Sequence, residues 1–427
     1  MIERTFSSLH VPNYRRYFIG QAVSVSGNWM QIVAEMWLIV QLTGSGTAVG
    51  FTAGLQFLPL LLFGAWGGIL ADRLDKRRLL LVTQALMAIP ALALWTLTAS
   101  GSVQTWMVYA LVFARGTVLA FDNPARQAFV SEIVGPGRVV NAVALNSVLV
   151  HSSRIAGPAA AGGLIALIGV SACFAVNAAT FLVMIVALRL MDPRTLQHPE
   201  RVPRAPGQLR AALAYVRGTP ALRVPLAMMV VVGTISFNFQ VLLPLLASET
   251  WEGTATTYAA LTAVMGAGSV LGALAAGARG TVGPGVLVIS AALFGAAELL
   301  AAIAPTLETM ALALIPLGAA SVTFAAGVNS SLQLASADAL RGRVMALYAM
   351  VFLGSTAIGA PLVGLLAQVA GPRAGLVAGA AAALATAAWA HAAFARPRPP
   401  RPDGATAGRY HRLRPGWVAQ LARAHDS

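Results

Sequence analysis

The chain has 427 residues, 57% of them hydrophobic and only 10% charged, with a mean hydropathy of +0.73. Soluble globular chains carry about 25% charged residues, so a soluble enzyme, or a large water-exposed domain on one anchor, is excluded. The net charge of +14 would suggest nucleic acid as the partner of a soluble protein, but the placement of the charges gives it a different meaning.

Apolar runs of about 20 residues read as transmembrane helices, and twelve are predicted in chain order. Six lie at 17–42, 47–70, 79–99, 104–123, 141–168 and 170–190, and six at 223–247, 254–278, 284–303, 306–328, 344–370 and 374–395. The expected fold is an all-α polytopic membrane protein of two pseudo-symmetric six-helix halves, 1–190 and 223–395. Between them, 191–222 forms a Pro-rich loop whose end, 208–216, has helical spacing suited to the membrane surface. The Pro/Arg-rich tail 396–427 reads as an extended basic segment drawn to anionic lipid.

Of the 29 Lys and Arg residues, only Arg373 falls on the side away from the termini, and Arg115 and Arg154 fall within spans. The rest share the side of the termini and the central loop, the positive-inside pattern that makes that side cytoplasmic. No basic domain is left to bind nucleic acid. No cleavable leader is expected before the first span, and the single Cys173 provides neither a disulfide nor a thiol metal cluster. The one lysine, Lys76, follows Asp75 and so ends no phosphate-binding glycine loop; none of the six histidines precedes a glutamate, so no His-Glu-x-x-His zinc site exists. Neither a cofactor nor a metal is expected, and the chain does not read as an enzyme.

The halves repeat weakly at an offset of about 206: Asn123, Gln127 and Glu132 match Asn329, Gln333 and Asp338, and Gly137-Arg138 matches Gly342-Arg343. Internal repeats of this kind mark transporters, with the binding site at the repeat interface. Arg115 aligns with Ser321 and Asp72 with Ala276, so the N-terminal half holds the charged machinery.

After span two come Gly68, Leu70-Ala71-Asp72-Arg73 and then Asp75-Lys76-Arg77-Arg78. This string resembles the signature of the major facilitator superfamily, although Asp75 stands where the general pattern has glycine. Phe121-Asp122-Asn123-Pro124-Ala125-Arg126-Gln127 and the stretch Asn141 to Asn146 resemble the enterobactin-exporter branch, the transmembrane secretion effectors. Gly157-Pro158 followed by Gly162-Gly163 is similar to the antiporter motif, with three intervening residues instead of two.

Physically, Asp72 is placed to cap backbone amides at the start of the next helix, and the four basic residues beside it can pair with Asp122. Gly68, Asp72, Arg73, Lys76, Arg77, Arg78, Asp122 and Arg126 are therefore expected to form a cytoplasmic gate that latches one state, the role the resemblance also implies; the alternative is simple charge anchoring. A charge at the membrane centre costs about 2.5–3.5 kcal/mol on insertion scales, so Arg115, Arg154 and Glu35 each need a partner, water or a function. Ser24, Asn28, Gln31 and Glu35 form one polar stripe, and Ser147, His151, Arg154 and Pro158 a second. Together, Asn28, Gln31, Glu35, Arg115, His151 and Arg154 are expected to line a shared water-filled cavity. Glu35 is its proton-exchanging candidate, against a static Glu–Arg pair as the plain alternative. Glu298, near the outer rim, is expected to be solvated. Gly157, Pro158, Gly162 and Gly163 serve either as a hinge or as close packing. Trp29 and Trp37 read as core or interfacial aromatics.

The resemblance implies an alternating-access carrier in a bacterial-type inner membrane, monomeric and with both termini cytoplasmic. Such a carrier exports a small amphipathic drug or secondary metabolite, such as a siderophore, in exchange for protons. Uptake symport and a non-transporting sensor stay open on the residues alone.

Overall fold

A computed structural model describes residues 6–197, 208–279 and 283–395; the tail from Arg396 and much of the central loop lie outside them. Every regular element among the described residues is helical. In the first half these are α1 (Pro12–Thr43), α2 (Gly46–Arg73), α3 (Lys76–Ala99), α4 (Thr105–Val134), α5 (Val139–Ile168) and α6 (Val170–Arg189). A short helix, α7 (Gln208–Gly218), stands where the spacing predicts one. The second half has α8 (Pro220–Ile235), α9 (Phe239–Leu245), α10 (Ala255–Arg279), α11 (Pro284–Ala302), α12 (Leu307–Ala335), α13 (Asp338–Ala370) and α14 (Pro372–Ala395).

Nine described segments are long and apolar enough to cross a membrane, and ten if Thr105–Val134 with Pro136–Ile168, bent by 105°, counts once. The helices that fall outside the nine are those with the internal charges: α1 holds Glu35, α4 holds Arg115 and α5 holds Arg154. Of these, α4 and α5 are apolar enough together and are set apart by the bend at their join.

Turn chemistry explains the sharp joins. Gly44 ends α1 at φ 56°, a left-handed conformation that glycine adopts without steric cost, and its N–H reaches Val40 O at 2.8 Å. Ser45 then caps α2 through its hydroxyl. The seventh predicted span, 223–247, is not one helix. It breaks at Ser236–Asn238 between α8 and α9, and the Asn238 amide donates to the carbonyls of Thr234 (2.8 Å) and Ile235 (3.0 Å) that the break leaves free. Phe237, inside the break, packs within 5.0–6.5 Å of Phe239, Phe294, Phe324 and Phe352, so a ring cluster holds the interruption in place.

The halves meet through α2 against α13 and α5 against α10. Contact lies toward the ends far from the termini. Gly46 faces Gly364 and donates its N–H to Gln368 Oε1 at 2.7 Å, while Gly50 and Gly54 face Ala360 and Pro361. Gly162 faces Ala259 in the same layer, and Trp37 stacks on Tyr258 at 6.4 Å. A glycine every fourth residue puts a bare backbone stripe on one face of α2, which lets two helices approach closely in lipid. The close glycine contacts between the halves thus run from the far end to mid-depth.

Candidate functional site

Three polar clusters sit in the N-terminal half. In the first, Glu35 of α1 and Arg115 of α4 form a fully buried ion pair, with Arg115 Nη2 2.7 Å from Glu35 Oε2. Gln31, one turn before Glu35, donates its amide to Glu35 Oε1 at 2.7 Å, and Asn177 of α6 donates to Gln31 in turn. Arg115 Nε and Nη1 have no partner. The expected placement of Gln31 and Glu35 on a water-filled wall is therefore corrected. Gly27 brings α1 tightly against Asn177 and Thr180 of α6, which turns this part of the stripe into the half's own core. Arg115, Glu35, Gln31 and Asn177 tie α1, α4 and α6 together.

The second cluster lies on the terminal side. Asp122 is buried and accepts from Thr83 Oγ1 (2.6 Å), Gln84 Nε2 (2.9 Å) and Arg126, one turn along its own helix. It does not take the expected partners from the loop. Lys76 reaches Glu132 at 2.5 Å instead, and Arg77 donates to the carbonyls of Leu188 (2.7 Å) and Arg189 (3.1 Å) at the C-terminus of α6. A cation is well placed there, where free carbonyls and the helix dipole concentrate negative charge. The cap of α3 is also reassigned: Asp75, not Asp72, accepts the Arg78 N–H at 2.8 Å, because Asp72 still belongs to the last turn of α2. Asp72, Arg73 and Arg78 are exposed. Gly67 makes the close approach to the Ala120 carbonyl of α4.

The third cluster is at mid-depth on α5. Arg154 lies over the Trp29 ring of α1, its guanidinium carbon 5.1 Å from the centroid. Its backbone carbonyl and Ile155 meet Gly266 of α10, in the other half. His151 is one turn earlier, and Ser153 accepts from Ser26 at 3.1 Å. Gly157 packs on Trp29 and Ser26, Gly162 on Ala259, and Pro158 is buried within a continuous helix, whereas Gly163 meets nothing within 4 Å. Two of the three glycines thus serve close approach.

Glu298 requires a further correction. It is fully buried rather than solvated, against Gly379 of α14, and neither carboxylate oxygen is hydrogen-bonded among the described residues. Ser236 lies beside it but donates to the Gly379 carbonyl at 2.8 Å. The missing side chain of Gly379 makes room for the carboxylate, a fit that only the packing of two distant segments reveals. Glu132, Thr83, Gln84 and Asn177 were likewise not anticipated as partners. Each is a polar residue inside an apolar helix, which is the one signal the sequence carried for them.

Two helical halves joined at one end around a charged mid-depth layer are the arrangement of major facilitator transporters. The chain belongs to the transmembrane secretion effector family of that superfamily, which it matches over residues 3–411. It is 26% identical over 372 residues to the enterobactin exporter of Shigella flexneri, covering 84% of this chain and 86% of that one. It is 23% identical to the staphyloferrin A transporter of Staphylococcus aureus over 60% of this chain and 65% of that one, so that match spans just under two thirds of the relative. The macrolide efflux protein A of Streptococcus pyogenes is 25% identical over 64% of this chain and 68% of its own. Among solved structures, the nucleoside transporter NupG superposes with a TM-score of 0.72 at 14% identity, over 89% of this chain and 99% of that one. A bacterial homologue of ferroportin in its inward-facing state gives 0.71 at 13% identity, over 90% and 99%. These two likenesses bear on the fold alone.

Proposed function

We propose that the chain exports a small amphipathic compound, a drug or a secondary metabolite of the siderophore kind, by alternating access in exchange for protons. The observation that carries this reading is the seam of close glycine contacts that joins the two halves at the end far from the termini. With the basic loops on the cytoplasmic side of an inner membrane, this is the inward-facing state of a monomeric carrier. The relatives named as exporter and efflux protein favour the outward direction.

In this reading the Glu35–Arg115 pair is the proton site: a proton on Glu35 removes one partner's charge and loosens α1 from α4, biasing a two-state element. The residues from Gly68 to Arg78, with Asp122 and Arg126, form the cytoplasmic gate, and exposed Asp72 docks on the other half when that side closes. At equal expression, Asp72→Asn is expected to lower the transport rate; an unchanged rate removes the latch.

Antiport is tested in inside-out vesicles with an acid interior and a pH-sensitive dye. A transported compound should release protons. The variant that replaces both Glu35 and Arg115 by Gln should still exchange compound for compound, yet release none. Compound movement with no proton release in the unaltered protein removes antiport from the reading.

A further inference from the structure

Every other membrane charge of the N-terminal half has an answer in the fold; Arg154 does not. Glu35 neutralises Arg115 at 2.7 Å, while the described ion pairs contain no acid for Arg154. Its Nε is buried without an acceptor, and one turn away the Nδ1 of His151 is in the same condition. Residues three apart on a helix are neighbours on one face, so both nitrogen groups point from the same side of α5. The remaining buried acid, Glu298, is held inside the C-terminal half against Gly379 and Ser236. No acid is therefore shown facing Arg154.

The location of Arg154 matters as much as its lack of a partner. It sits at mid-depth, on the helix that meets α10 of the other half through Gly266, where a rocking carrier keeps its substrate site. Trp29 lies against the guanidinium, whose carbon is 5.1 Å from the ring centroid, and a guanidinium offers a planar fork of N–H groups to a bidentate acceptor. This place is distinct from the apolar groove between α1, α5 and α6 lined by Val23, Gly27, Met30 and Val176, which holds no charge.

We propose that Arg154, stacked on Trp29 and assisted by His151, is the anchor for an anionic oxygen pair on the transported compound. The substrate class is then an amphiphile with a carboxylate or catecholate group, and lipophilic cations are disfavoured. The inference rests on the exporter reading and narrows it. The unpaired cation of this layer favours an anionic compound over a cationic one.

The test uses the full chain in lipid nanodiscs with three probes: enterobactin as a catecholate, citrate as a carboxylate and tetraphenylphosphonium as a lipophilic cation. Enterobactin or citrate should bind the unaltered protein more tightly than tetraphenylphosphonium. Arg154→Gln should weaken the anionic probe roughly 10–100-fold, the range of one lost charged hydrogen-bonding site, and raise affinity for the cation. Arg154→Lys keeps the charge but not the fork, and should recover part of the loss. A purely structural role would weaken all three probes alike and leave Lys no better than Gln. Tighter binding of the cation by the unaltered protein, or an Arg154→Gln variant with full anion affinity, overturns the proposal while leaving transport intact. Failure of the unaltered protein to move any compound in vesicles, despite binding the anion, would strike the exporter reading and spare the anchor.

Discussion

Glu35→Gln is expected to cost the fold about 3–5 kcal/mol, the range found when one partner of a buried ion pair is removed. Both side chains are essentially inaccessible, at 0% and 1% exposure. Gln in place of Glu35 leaves the Arg115 charge in the core of the half, where two of its nitrogens already lack acceptors. Arg115→Gln alone should cost a similar amount by stranding the carboxylate. The double Gln variant should regain most of the loss, since desolvating two amides is far less costly than one naked charge. Thermal unfolding in detergent, followed by a thiol probe of buried Cys173, measures all three. If the double variant is as unstable as the sum of the singles, the pair does not act as a unit.

A bulky residue in the seam should act on the conformational balance more than on stability. A Cβ at Gly50 would run into the Ala360 carbonyl and the Gly364 backbone of α13, neither of which can move aside as a side chain can. Gly50→Val should therefore penalise only the state in which the far end is closed. Overpacking of this kind costs about 1–3 kcal/mol, which shifts a two-state ratio by roughly 5–150-fold. Spin labels on cysteines introduced at Thr43 and Val369, with Cys173 replaced by Ser, should report a longer separation as the major population. Gly163→Val, at a position with open space around it, should leave the distances unchanged. An unaltered distribution in Gly50→Val would mean that the seam is not the contact that closes the far end.

The fold was largely legible because lipid enforces it: long apolar runs must be helices there, and basic residues mark one side. Residues inside one motif were placed less well. The string from Gly68 to Arg78 spans the join of α2 and α3, and its members answer to different partners: Asp75 to its own helix start, Arg77 to α6, Lys76 to Glu132. Sequence spacing gives the face of a helix but not the depth to which a neighbour covers it. For that reason Gln31 and Glu35 were expected beside water, and Glu298 at the surface, when Gly27 and Gly379 admit close packing that buries them. The break at Ser236–Asn238 is not legible in the sequence because the segments on both sides are mostly apolar, and hydropathy does not register a change of backbone direction.

The ion pair between α1 and α4 also bears on how the protein is made. Arg115 follows Glu35 by 80 residues, and at about 5–20 residues per second the ribosome takes roughly 4–16 s to supply it. During that interval α1 carries a carboxylate whose lone entry into the bilayer is opposed by about 2.5–3.5 kcal/mol. Pairing with Arg115 removes that penalty when α4 packs against α1. The first helix of the N-terminal half therefore gains its full stability only once the fourth has been made.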